Sequence, residues 1–194
     1  MKIIKLKQIL SVTLFFLFVA GISNIRAQKD GKNVSTKISY KVDFGPVYPI
    51  EGDSYQVVGK VALDDSNNEF EKIGFEVPLV SFLGQNSGYL GWVGNSWDNP
   101  DMSFSSTEIT KKDDTHYTVK GRLEFRRRTG TSEIDFIRQD TDNEIVLQGN
   151  FELDTSDYFI ITPPVRQVPS FIPFKVTLVF DKPSRPNDKQ ISFH

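Results

Sequence analysis

The feature that most constrains the fold of this chain is a repeated alternation of apolar and polar residues. In the segment KISYKVDF, residues Ile38, Tyr40, Val42 and Phe44 share one face, and lysine, serine and aspartate occupy the other. A period of two is typical of a half-buried β-strand. The pattern returns at residues 55–63, 72–79, 101–109, 116–125, 132–137, 144–153 and 173–180. It therefore predicts at least eight strands.

The spacing of these strands favours an antiparallel sheet. Turn residues separate them at Gly45 and Pro46, at 64–68, at 112–114, at Thr129 and Gly130, and at 141–143. No long helical periodicity follows residue 27, so parallel βαβ folds are not expected. A sheet with one apolar face must close into a barrel or split into a sandwich. Most runs are shorter than the about 9 to 11 residues of a membrane strand, so we expect the apolar face inside a closed barrel.

The first 27 residues have the order of a secretory signal peptide. Lysines near the start precede an apolar run over residues 9–22, and Ala27 ends a tripeptide that fits cleavage after it. The alternative is a transmembrane anchor, which needs roughly 20 apolar residues, and this run is shorter and contains polar residues. We therefore expect residues 28–194 to form a single domain in the periplasm or outside the cell.

Composition and charge exclude several kinds of function. The chain has no cysteine, which excludes disulfides and thiolate chemistry. Its net charge is −2 and becomes more negative when residues 1–27, which carry only cations, are removed. We therefore expect no nucleic-acid partner and no stable membrane insertion. The sequence leaves open whether two chains form a homodimer.

No catalytic or metal-binding motif is present. The only histidines, His116 and His194, have no nearby carboxylates at metal-ligand spacing, so we predict no metal site. No nucleophile with an orienting base and no phosphate loop occurs, so we predict neither an enzyme nor a cofactor. The run Arg126-Arg127-Arg128 has the chemistry to bind a phosphate head group. Adjacent strand residues cannot share one face, however, so a solvated strand end is the preferred interpretation.

Both tryptophans lie in one glycine-rich stretch, GYLGWVGNSWDNPDMSFSSTEI at residues 88–109. Two interpretations are open for a barrel. The aromatic residues either plug one end as ordinary core, or they line the mouth of a ligand site. A different class of protein also remains open: a carbohydrate-binding or glycan-processing β-sandwich, in which Trp92 and Trp97 form a sugar-stacking platform near Asp98 or Asp101.

The order of the segments around this stretch resembles the YceI-like family of bacterial periplasmic, lipocalin-like proteins. The resemblance rests on a strand-end serine, a lid leucine, a proline-to-serine pattern and a glycine-leucine strand. These are Ser81, Leu90, Pro100 with Phe104 and Ser106, and Gly121 with Leu123. Tyr89 stands where family members often have histidine, and Arg126-Arg127-Arg128-Thr129 replaces a histidine-containing segment.

The resemblance implies an all-β, eight-stranded antiparallel lipocalin-like barrel with a short lid segment. It also implies non-catalytic binding of an isoprenoid-like or other long-chain lipid inside that barrel. The residues expected to line the interior are Phe44, Phe75, Val77, Phe104, Tyr117, Phe125, Phe136 and Phe151. Those expected to close one end are Tyr89, Leu90, Trp92, Val93 and Trp97.

Overall fold

Strands make up most of the structure, which is a computed structural model that describes residues 35–43, 49–64, 66–159 and 168–182. Phe44 and the predicted signal peptide lie outside these residues. The strands are β1 (Lys37–Asp43), β2 (Pro49–Ser54), β3 (Val58–Leu63), β4 (Phe70–Pro78), β5 (Asp101–Lys111), β6 (His116–Phe125), β7 (Arg128–Asp140), β8 (Glu144–Asp154) and β9 (Phe171–Asp181). One α-helix, α1 (Gly88–Gly94), and 3₁₀ turns at Leu79–Ser81 and Thr155–Asp157 complete the described elements.

The nine strands form one antiparallel sheet in the order β2-β1-β9-β8-β7-β6-β5-β4-β3. The two edge strands, β2 and β3, are consecutive in the chain and are joined only by residues 55–57. Because so short a connection must link the two edges, the sheet has to curl round on itself. The outer edge of β2 pairs with the segment after β4, where the backbone N–H of Asp53 donates to the carbonyl of Leu83 at 2.8 Å. The prediction of an all-β, antiparallel, barrel-like fold is confirmed.

One strand was not predicted. β2 has the sequence PIEGDS, in which proline, glycine and two carboxylates weaken the apolar alternation. Its pairing partner explains why it forms, because β1 pairs with it over six residues, from Ile38 opposite Ser54 to Asp43 opposite Pro49. Ile50 and Ser54 on β2 are buried against the core. The sheet therefore has nine strands rather than eight.

The apolar face of the sheet is the interior. Every described residue predicted to line the barrel is at most 5 % exposed: Phe75, Val77, Phe104, Tyr117, Phe125, Phe136 and Phe151. Four rings cross this interior as an aromatic ladder of Phe104, Phe75, Phe151 and Phe174. Their successive centroids lie 5.6, 5.8 and 5.0 Å apart. At these distances neighbouring rings are in contact, so side chains occupy the centre of the barrel at this level.

Candidate functional site

Helix α1 packs one face on the end of the barrel. Leu90 and Val93 are three residues apart, share that face and are at most 1 % exposed. The helix contains three glycines, and a Cβ on Gly94 would collide with Leu79 and with the ring of Phe125. The helix therefore lies close against the barrel because its glycines permit it. Asn95 ends the helix in the left-handed conformation, with φ of 54°.

A buried tyrosine anchors the segment that leads into α1. The hydroxyl of Tyr40, on β1, donates to the carbonyl of Ser87 at 2.8 Å. Burial raises the pKa of Tyr40 to about 12, because a phenolate would be poorly solvated there. The side chain of Tyr89 is half-buried, and burial likewise raises its pKa to about 12. Both phenols therefore remain neutral donors at physiological pH.

The five residues predicted to close the barrel end divide into two groups. Leu90 and Val93 point into the core, and Tyr89 lies between core and surface. Trp92 is 60 % exposed and Trp97 is 97 % exposed. The ring of Tyr89 contacts the ring of Trp92, with centroids 5.9 Å apart. The structure thus leaves both tryptophans exposed, Trp92 on α1 and Trp97 three residues beyond the end of that helix.

The tryptophans border an open cavity of about 720 Å³. We call it the α1 cavity and define it by its lining: Leu79, Val80, Phe82, Ser87, Gly88, Gly91, Trp92, Val93, Asn95, Ser96, Trp97, Arg126, Phe159 and Val168. Of the predicted site residues, it contains Trp92, Val93 and Trp97. The other predicted residues that the structure describes are buried in the core, except Tyr89, which is partly exposed. Among the lining residues that the structure describes there is no carboxylate.

Arginine is the only charged residue type in this described lining, and it comes from the turn between β6 and β7. Arg126 and Arg127 are the two turn residues, and their φ angles are 54° and 55°. Such two-residue hairpin turns favour Gly and Asn. Two arginines in sequence therefore do not predict a turn at this position. The predicted turn at Thr129 and Gly130 is therefore wrong, because β7 begins at Arg128.

The three adjacent arginines have different surroundings. Arg127 and Arg128 are exposed, which agrees with the interpretation as a solvated strand end. Arg126 is half-buried. Its guanidinium donates to the carbonyl of Val93 in α1 and lies 4.2 Å from the ring centroid of Phe159. The sequence shows three adjacent arginines but does not distinguish them. Only the packing of α1 against the turn gives Arg126 surroundings different from those of Arg127 and Arg128.

Other residues that line the α1 cavity could not be identified from a repeated sequence pattern. Val80 and Phe82 directly follow β4, where the alternation of that strand ends. Phe159 and Val168 follow β8 and precede β9 without a repeated pattern. These residues are far apart in sequence, so their proximity depends on the closure of the sheet.

A second cavity, of about 560 Å³, lies beside β1, β2, β8 and β9. Its lining includes Lys41, Lys175, Glu51, Asp53 and Glu152 as well as Tyr40, Phe151 and Phe174. Positively and negatively charged side chains both line this cavity, and the ammonium of Lys41 lies 4.0 Å from the carboxylate of Glu51. This lining gives no preference for one charge on a ligand, so the α1 cavity is the better candidate site.

His116, the histidine at the start of β6, lies away from the α1 cavity. Nδ1 of His116 lies 2.9 Å from a carboxylate oxygen of Asp113, in an exposed turn; His194 lies outside the described residues. Within the described ranges, no three potential ligand residues are grouped to hold a metal ion. No helix in the same ranges is both long and apolar enough to cross a membrane.

The fold and the cavity define a lipocalin-like antiparallel barrel with an apolar cavity at one end. The sequence matches no protein-family model and no curated protein. Solved structures do match it. BcnA of Burkholderia cenocepacia superposes with a TM-score of 0.62 at 16 % identity, over 75 % of this chain and 95 % of BcnA. The YceI protein of Campylobacter jejuni superposes with a TM-score of 0.60 at 14 % identity, over 84 % of this chain and 96 % of that protein. The chain has a YceI-like fold.

Proposed function

We propose that this protein binds a hydrophobic or amphiphilic small molecule, isoprenoid-like or another long-chain lipid, and catalyses no reaction on it. The α1 cavity is the observation that carries this proposal. Its volume of about 720 Å³ lies within the roughly 300–1,000 Å³ of small-molecule sites. Valine, leucine, phenylalanine and tryptophan side chains dominate its wall. Apolar ligand surface that enters such a wall gains roughly 25 cal/mol per Å² removed from water.

The ligand is placed in the α1 cavity rather than along the barrel axis. The aromatic ladder occupies the barrel centre, and a ligand there would have to separate rings that are in contact. In the α1 cavity, by contrast, Trp92 and Trp97 already present exposed ring faces. Exposed tryptophans are costly to solvate and are well suited to cover an apolar ligand.

The predicted signal peptide supports a location in the bacterial periplasm or outside the cell. A carrier in an aqueous compartment has to shield the apolar part of its ligand from water. The YceI-like fold is compatible with this role, although the fold alone does not assign a function.

The carbohydrate-binding β-sandwich is not favoured. The strands form a single curled sheet rather than two packed sheets. Trp92 and Trp97 flank a largely apolar cavity instead of a flat polar surface. Asp98 and Asp101 line a different cavity, together with Arg127 and Arg128.

The proposal is tested by titrating the exported, delipidated protein with cis-parinaric acid, a long-chain fluorescent probe. Energy transfer from tryptophan reports binding near α1. We expect saturable binding of one probe per chain, with reduced iodide quenching of Trp92 and Trp97. Absence of saturable binding would refute the proposed function. If an oligosaccharide instead protects the tryptophans from iodide quenching, the sugar-stacking platform is supported.

Two variants test the placement of the ligand. Gly88 lines the cavity, and a Cβ there meets no atom of the described residues within 4 Å. Gly88→Phe therefore adds a ring beside the cavity without displacing α1, and we expect it to block the probe. Trp97→Ala should weaken binding several-fold. Phe171→Ala is the matched control, since Phe171 is also exposed, at 51 %, and is not among the cavity residues. Equal affinity for all variants would show that the ligand lies elsewhere.

A further inference from the structure

The guanidinium of Arg126 is a positive group held at the wall of an apolar cavity. Three features hold it there: the turn between β6 and β7, the hydrogen bond to the carbonyl of Val93, and the ring of Phe159 at 4.2 Å. The stacking restricts the guanidinium plane, so its position is preorganised. A preorganised charge loses little conformational entropy when it binds a ligand.

Arg126 has no carboxylate partner within the described part of the chain. Other cations there do pair, as Arg138 does with Asp140 at 2.8 Å and Lys111 with Glu69 at 2.8 Å. Loss of hydration lowers the pKa of Arg126, and no anion among the described residues opposes this effect. A partly desolvated cation without a counterion is electrostatically unsatisfied, which favours an incoming anion.

The hydrogen-bonding capacity of Arg126 is also incompletely used. A guanidinium carries five N–H donors in a planar fork. The described residues accept one of these bonds, at the carbonyl of Val93. The remaining donors match the geometry of a carboxylate or phosphate, which arginine binds through paired hydrogen bonds.

From this arrangement we infer that the α1 cavity selects amphiphiles with an anionic head group, a carboxylate or a phosphate. Arg126 binds the head group, and the apolar tail lies against Val80, Trp92 and Trp97. This inference rests on the proposed function and adds the charge of the ligand to it. The same site would bind the neutral alcohol of equal chain length more weakly.

Arg126 also has a structural role, because it satisfies a carbonyl at the end of α1. Those last carbonyls have no partner within the helix. A test must therefore separate loss of the head-group contact from loss of the helix anchor. Arg127 offers a matched control: it is the next residue, has the same left-handed φ, is exposed and borders another cavity.

The experiment compares a long-chain fatty acid, the alkyl phosphate and the alcohol of the same chain length. Their affinities are measured by displacement of cis-parinaric acid from the wild-type protein, Arg126→Gln and Arg127→Gln. We expect Arg126→Gln to lower the affinity for the acid and for the phosphate about tenfold, and to change the affinity for the alcohol little. Arg127→Gln should leave all three affinities unchanged. Melting temperatures without ligand report any loss of the helix anchor.

The outcomes separate the two proposals. If the alcohol binds the wild-type protein as tightly as the acid, or if Arg126→Gln weakens all three ligands equally, the inference is wrong and the proposed function stands. If the probe itself does not bind saturably, both proposals fail; if the probe binds but neither the acid nor the phosphate displaces it, the inference alone fails. Acetate and inorganic phosphate provide the anion without a tail; displacement by them at the same concentrations would mean that the cavity recognises a free anion rather than an amphiphile.

Discussion

The ring of Phe151 on β8 stacks on the ring of Phe174 on β9, with centroids 5.0 Å apart and ring planes 7° from parallel. The two residues are direct partners across the strands. Cross-strand aromatic pairs stabilise a sheet by about 0.2–1 kcal/mol beyond an alanine pair. Through Phe75 and Phe104 the same contact continues to the opposite side of the barrel. The aromatic ladder therefore links strands that are distant in the sheet.

Phe174→Ala should be strongly destabilising. Phe174 is 1 % exposed, and its truncation leaves a cavity within the aromatic ladder, at a cost of about 3–5 kcal/mol in the free energy of unfolding. Phe171→Ala, on the same strand, should cost less than about 1 kcal/mol because Phe171 is 51 % exposed. Urea unfolding of both variants measures the difference. Similar losses would show that Phe174 does not support the core.

Gly121→Ala should also destabilise the protein. A Cβ at this position would lie 2.5 Å from a ring carbon of Phe104 and 2.5 Å from the carbonyl oxygen of Ser105. Since the carbonyl belongs to the backbone, relief requires a strand to shift, which we expect to cost about 1–3 kcal/mol. Gly88→Ala is the control, because its Cβ meets no atom of the described residues within 4 Å and the change should be neutral or stabilising by up to about 1 kcal/mol. Thermal unfolding distinguishes the two.

Two buried serines should respond differently to the same substitution. The hydroxyl of Ser54 lies 2.6 Å from that of Ser81 and accepts from the backbone N–H of Gln56. The hydroxyl of Ser132 is buried and has no hydrogen-bond partner in the described part of the chain. We expect Ser54→Ala to cost about 1–2 kcal/mol, and Ser132→Ala to be neutral or stabilising. Chemical denaturation tests both, and a large loss for Ser132→Ala would reveal a hidden partner.

Tyr158 should make the protein sensitive to alkaline pH. Its hydroxyl donates to the carbonyl of Leu123 at 3.1 Å, and burial raises the pKa of Tyr158 above its usual value of 10.0. The unfolded chain therefore releases this proton at lower pH than the folded protein. The resulting stability is fully present below about pH 10 and is lost as the pH rises towards the pKa of the folded state.

Unfolding measured between pH 8 and 11 tests this expectation, with Tyr158→Phe as the comparison. The variant should lose about 1 kcal/mol at neutral pH, and its stability should fall less between neutral and alkaline pH. Tyr40, whose pKa is raised to about 12, remains in both proteins and contributes the same alkaline loss to each. Parallel pH curves would contradict the assignment to Tyr158.

Much of the barrel could be predicted because its signal is local. Alternation in a segment such as residues 116–125 determines which side chains share a face, and burial of one face follows from the hydrophobic effect. Tyr117 and Phe125 were therefore assigned correctly to the interior. β2 was missed since its own residues alternate weakly, and its pairing with β1 decides its conformation.

The candidate site depended on contacts that no local pattern contains. The glycine-rich sequence around α1 identified a segment that is not a strand, but it could not show that Trp92 faces outward while Val93 faces inward. The turn at Arg126 likewise violates the usual preference for glycine. Its contacts with Val93 and Phe159 exist only after α1 and the strand ends are brought together.

The sequence by itself therefore determined the class of fold and the inward face of most strands, because both follow from a period of two along the chain. Tertiary structure alone decided that aromatic rings fill the barrel centre and that the apolar cavity lies beside α1 rather than along the barrel axis. It also decided which of three adjacent arginines lies at that cavity. These properties depend on which distant residues meet when the sheet curls, and a linear pattern carries no information about those distances.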